Sequence, residues 1–91
     1  MQGAHVDPNE LRRFASSLRL FDTQLRESMQ TLQGRFNQLG ETWKDRKYVA
    51  YAQEFQQTMR ALERFIESSE KQIAPLLEDA DDIDEYLHRR R

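Results

Sequence analysis

The sequence predicts an all-α fold, an antiparallel two-helix hairpin, and three observations carry that expectation. Glycine and proline are scarce, 3 and 2 in 91 residues, which leaves too few turn formers for a sheet of short strands. Charged residues reach 33% against 37% hydrophobic, with Gln, Glu, Arg, Leu and Ala prominent, as in long helices washed by solvent. Apolar residues also recur at seven-residue steps through two segments separated by one polar break. A chain this short forms one domain, 1–91, and cannot enclose a large core.

The first helix is expected over 8–40, after a frayed tail at 1–6. Asp7 is a good N-cap, Pro8 suits the first helical position, and Glu10 completes the capping-box spacing. Leu11, Leu18, Leu25, Leu32 and Leu39 then follow in sevens. Phe14 and Phe21 run beside them, and the companion position shifts by one to Met29, Phe36 and Trp43. A nearly straight helix requires such a shift, because its stripe drifts against a seven-residue repeat. Gly40 is read as the C-terminal stop.

The break at 41–45 is long enough only to turn a helix back on its neighbour, so the two helices run antiparallel. Folding the chain about residue 43 sets Ala80 opposite Asp7 and leaves everything after about residue 80 as an overhang.

The second helix is expected over 46–87. One apolar series reads Tyr48, Phe55, Leu62, Ser69, Leu76, Ile83, and the other Ala52, Met59, Ile66, Ile73, Ala80, Leu87. Pro75 removes a hydrogen bond to the Lys71 carbonyl and crowds it, so a bend or short break is expected there. His88 to Arg91 is read as a second frayed tail. In the seam, Leu18, Leu25 and Leu32 are expected to face Ile66, Met59 and Leu62.

Composition closes off most kinds of chemistry. With no cysteine there is neither disulfide nor thiolate. The two histidines, His5 and His88, have no neighbours at zinc-ligand spacing. The acidic run Glu78, Asp79, Asp81, Asp82, Asp84, Glu85 lacks the glycine and spacing of a calcium loop. Phosphate loops and nucleophile elbows are absent too, so no metal, no cofactor and no enzymatic activity are expected. A net charge of -2 argues against nucleic acid. The acidic second helix also disfavours an anionic membrane surface. The N-terminus MQGAHVDPNE shows neither the basic nor the apolar region of a signal peptide.

Trp43 is the informative residue, since loop tips are usually polar. A tryptophan in the turn between two long helices, in a short chain without cysteine, resembles the WXG superfamily. These are the ESAT-like helical hairpins of bacterial type VII (ESX) secretion systems. The family motif, Trp-X-Gly with an aromatic further on, corresponds here to Trp43-Lys44-Asp45 with Tyr51 eight residues after the tryptophan. Asp45 replaces the glycine, as in a divergent branch, and its carboxylate suits a helix cap. The family's C-terminal Tyr with an acid four residues later is not kept, because Tyr86 is followed at that offset by Arg90.

The resemblance implies a non-enzymatic interaction protein, a secretion substrate or adaptor that is cytoplasmic before export and leaves without a cleaved signal peptide. It implies a homodimer or a heterodimer with a similar hairpin, closing into a four-helix bundle, and a secretion ATPase as further partner. The alternative is a structural coiled-coil hairpin of a larger assembly unrelated to secretion. The residues expected to meet partners are Trp43, Asp45 and Tyr51 at the tip, Phe65 on helix two, and Ile83, Tyr86 and Leu87 on the overhang.

Overall fold

The computed structural model describes residues 6–89. The expectation of a frayed 1–6 tail therefore lies, but for Val6, outside the described residues, as do Arg90 and Arg91. Two helices, α1 (Pro8–Thr42) and α2 (Arg46–Arg89), make up the fold, and no strand occurs among the described residues. They form an antiparallel hairpin of 70 × 19 × 15 Å, a rod one helix pair thick.

α1 starts as its sequence dictates. Asp7 holds an extended backbone, and its Oδ1 accepts the Asn9 N–H at 2.9 Å. Its other end departs from expectation. The helix continues through Gly40 to Thr42, and Trp43 ends it by donating its N–H to the Leu39 carbonyl at 2.9 Å. No described residue has a positive φ, so Gly40 is not there for a left-handed turn. A Cβ at that position would lie 2.9 Å from Cζ of Tyr48 and closer still to its hydroxyl. Gly40 is the seat of the Tyr48 ring.

The turn is only Trp43, Lys44 and Asp45. Asp45 caps α2 by accepting the Tyr48 N–H at 3.1 Å. α2 then runs unbroken through Pro75 to Arg89, so no break occurs at the proline, and His88 and Arg89 are helical rather than frayed. His88 Nδ1 lies 2.8 Å from the Asp84 carbonyl and Arg89 pairs with Glu85, closing the last turn.

The core is a thin seam. It is buried at Pro8, Ala15, Asp22 and Met29 on α1 and at Met59, Ile66, Ser69, Ile73 and Ala80 on α2. Met29, Met59 and Ile66 form its centre, with Leu25, Phe55 and Leu62 packed against them. The heptad series that faces α2 most squarely is thus 8, 15, 22, 29, and the leucine series flanks it. Leu32, expected in the seam, is 50% exposed, and Phe14 and Phe21 are exposed as well. The register also differs. Folding about residue 43 placed residue 65 opposite Asp22, but Ser69, four residues further on, meets it. At that contact α2 is drawn about one turn toward the tip, while Phe21 and Phe65 meet within a residue of the expected pairing.

Candidate protein-interaction surface

Helical periodicity divides the surface on either side of the seam into two unlike flanks. Positions 12, 19, 26 and 33 of α1 fall on one side of the buried series, and positions 11, 18, 25, 32 and 39 on the other.

The first flank is polar. Arg12 reaches Asp81 at 2.8 Å and Asp84 at 2.6 Å, and Arg26 reaches Glu70 at 2.7 Å and Glu63 at 3.1 Å. Gln56 donates to Gln33 at 3.4 Å. The hydrogen bonds that Arg26 donates to Glu70 and Glu63 raise its own pKa further and lower that of Glu70. All these groups remain in contact with water, so the pairs contribute little each and set the alignment of the helices more than their affinity.

The second flank is apolar. The rings of Phe21 and Phe65 meet edge-on, with centroids 6.0 Å apart. Their exposures are 50% and 47%, so the hairpin brings them together without covering them. Toward the tip a groove of about 500 Å³ is lined by Leu32, Phe36, Leu39, Trp43, Tyr51, Phe55 and Thr58, with Arg35 and Glu54 its charged members. Phe36 stacks on Phe55 at 4.5 Å and on Tyr48 at 5.3 Å beneath it.

Trp43 closes the end of this cluster. Its ring lies 5.7 Å from Tyr48 and 5.4 Å from Tyr51. Trp43 is half-buried, whereas Tyr51 is 58% exposed at the mouth of the groove. Asp45, beside them, is committed to capping α2. Of the overhang residues, Ile83 is half-buried, because the shift in register brings it down beside the start of α1. Tyr86 and Leu87 are 44% and 43% exposed. Of the residues singled out from the sequence, Trp43, Tyr51 and Phe65 therefore share the apolar flank. Ile83 is drawn back onto the hairpin, and Tyr86 and Leu87 lie at its far end.

Sequence reasoning missed Asp22. It is 2% exposed in the middle of the seam, accepts the Ser69 hydroxyl at 2.6 Å, and its Oδ1 has no partner. The signal was present: Asp22 is the charged member of the series Pro8, Ala15, Asp22, Met29. No group of His, Cys, Asp or Glu able to hold a metal ion occurs among the described residues.

A family model described as proteins of 100 residues with WXG matches residues 4–84, nearly the whole chain. The chain belongs to the WXG100 family. Members of that family are small helical proteins associated with secretion, and they typically pair with similar hairpins. In this WXG100 chain the tryptophan of the motif is Trp43, and the glycine position is the capping Asp45. Neither a curated protein nor a solved structure matches the chain. No described helix is long and apolar enough to cross a membrane.

Proposed function

We propose that this WXG100 protein is a type VII secretion substrate or adaptor that works, without catalysis, by pairing its hairpin with a similar one into a four-helix bundle. The observation that carries this reading is the apolar flank. Phe14, Leu32, Leu39, Tyr51 and Phe65 are each at least 45% exposed there. Residues 17, 24, 28 and 31 of α1 and 58, 61, 68 and 72 of α2, which border it, are Ser, Gln, Ser, Thr and Thr, Ala, Ser, Gln. An apolar strip along a rod, with Arg35 and Glu54 the charges at its groove, suits a second rod of the same kind, and burying it yields the missing core.

Charge supports a head-to-tail arrangement. The tip carries Lys44, Arg46 and Lys47 against Glu41 and Asp45, and the open end Glu78, Asp79, Asp81, Asp82, Asp84 and Glu85 against Arg12, Arg13 and Arg89. Turning the second hairpin end for end sets its basic tip near the acidic end of the first, and like ends are kept apart. Tyr86 and Leu87 then lie at the extremity of the bundle, where a secretion ATPase or other export component engages α2 as a docking helix. Export from the cytoplasm without a cleaved signal peptide belongs to the same reading.

Sedimentation of the purified chain tests the pairing. A dimer at micromolar concentration is expected, and Phe65→Glu should convert it to a helical monomer. A folded parental monomer that also ignores every sister hairpin would sink the proposal. Removing residues after Asp84 should leave the hairpin folded and abolish capture by the export component. Loss of helicity on that truncation would instead make the overhang part of the core.

A further inference from the structure

Two residues break the apolar pattern of the seam, and they break it at the same place. The α1 series Pro8, Ala15, Asp22, Met29, Phe36 has Asp22 as its charged member, and the α2 series Tyr48, Phe55, Leu62, Ser69, Leu76, Ile83 has Ser69 as its small polar one. Each is 2% exposed, and each is the other's partner, the Ser69 hydroxyl donating to Asp22 Oδ2 at 2.6 Å. The second carboxylate oxygen is buried with no hydrogen bond. Leu25, Met29 and Ile66 pack immediately beside this layer, so a leucine at 22 would continue the stripe.

We infer that Asp22 and Ser69 are a matched polar pair that selects which helices pair with one another, at a cost in how tightly they pair. The inference deepens the hairpin-pairing function proposed above and rests on it. A buried carboxylate accepts only a neighbour that brings a donor, and one polar residue in an apolar seam is a known means of fixing register and partner. Sliding α2 by one heptad would set Leu62 or Leu76 opposite Asp22. Packing α1 antiparallel on the α1 of another chain, along the same series, would set Met29 or a second Asp22 there. Each alternative strands the carboxylate. The ion pairs discriminate less, because Glu63 and Glu70 are seven residues apart and a heptad shift still leaves Arg26 an acid.

The three-residue turn already restrains slippage within one chain. It does nothing against helices of other chains. That is the hazard for a protein whose apolar flank exists to meet similar hairpins, and the polar pair keeps the seam intramolecular while the flank pairs outward.

The absence of cysteine makes a clean test. Gln33 and Gln56 are hydrogen-bonded across the two helices, so Gln33→Cys/Gln56→Cys reports the closed native register. With Asp22 and Ser69 intact, oxidation should give one intramolecular disulfide. In the Asp22→Leu/Ser69→Leu background the melting temperature should hold or rise, since well-packed apolar replacements of buried charges are often stabilising. The disulfide should there divide between intramolecular and intermolecular products, with more than one species in sedimentation. The same single product and single assembly as the parent would overturn the inference. Ser69→Ala alone should lower the folding equilibrium constant roughly ten- to hundred-fold. An equal loss from Ser69→Ala when residue 22 is leucine would overturn it too. A parental chain that sediments as a monomer counts against self-pairing only, because the cysteine pair still reads the register.

Discussion

The two flanks of the hairpin are built from the same two helices and differ by the residues one step to either side of the seam. On one, Arg12 and Arg26 each bridge two acids of α2, and the surface is finished as it stands. On the other, Phe21, Phe65 and Tyr51 are gathered into contact with neighbours yet stay about half exposed or more. A single pair of helices can hide only one seam, so an amphipathic stripe wider than that must leave a remainder. Here most of the remainder falls on one side, with Val49 exposed beside Gln56 on the other. The pairing proposed above uses the unfinished flank and leaves the other facing water.

Both flanks depend on the seam between them, so the largest effect is expected there. Ile66 is fully buried at its centre, and Ile66→Ala should cost about 2–5 kcal/mol in chemical denaturation. Retention of full stability would mean that the seam lies elsewhere. The contrast between the flanks is sharpened by a matched pair of charges. Phe65→Glu should weaken association by about 2 kcal/mol or more, as at the centre of an interface, with helicity preserved in circular dichroism. Val49→Glu, at a residue 57% exposed beside Gln56 on the polar flank, should change dimer dissociation by less than about 0.5 kcal/mol. Equal effects would erase the distinction between the two sides.

Two glycines of α1 provide a finer comparison. A Cβ at Gly34 meets nothing within 4 Å, so Gly34→Ala should stabilise the helix by about 0.5–1 kcal/mol. A Cβ at Gly40 meets the Tyr48 ring, and Gly40→Ala should cost about 1–3 kcal/mol by displacing it. Thermal melts of the two variants should shift in opposite directions.

The smallest effect belongs to the finished flank. The hydrogen bond from Arg26 lowers the pKa of Glu70 from its ordinary 4.5, so the folded state favours the carboxylate. Its contribution is complete above that value and is lost as pH falls below it. Stability should therefore decline slightly through the acid carboxylate range, and less so in Glu70→Gln. Added salt should reduce the difference between the two chains, because these groups are exposed. A Glu70→Gln chain with an unchanged acid limb would show the pair to be without thermodynamic effect.

Much of this architecture was legible in the residues themselves. The Asp7-Pro8 start, the antiparallel pair and the Asp45 cap follow from local rules, and each is present. The end of α1 was misread because a glycine near a helix terminus usually signals a left-handed stop, whereas this one makes room for an aromatic ring from the next helix. A bend or a short break was expected at Pro75, and α2 runs through it without a break. Loss of one hydrogen bond in a long helix is absorbed when seam residues on either side, Ile73 and Ala80, are held by packing. Of the residues expected to meet partners, Tyr51 and Phe65 were visible as apolar side chains off the seam, and Trp43 as the tryptophan of the turn. Ile83 was placed on the overhang only because the register was a turn out.

What the sequence determined alone was the kind of object: two long amphipathic helices, a short turn and a tryptophan at the tip. Heptad spacing and cap residues act over one or two turns, and such short-range rules can be read without coordinates. Which of two adjacent heptad series faces the partner helix was decided only in three dimensions. The leucine series and the series through Asp22 and Met29 lie a fraction of a turn apart, and local pattern favours the leucines. Seating Tyr48 on Gly40 and joining Asp22 to Ser69 settles the choice, because a fixed turn and one buried polar contact rotate both helices together. That rotation placed Phe14, Phe21, Leu32, Leu39 and Phe65 on an open flank, and so made a surface out of part of what the pattern alone would have buried.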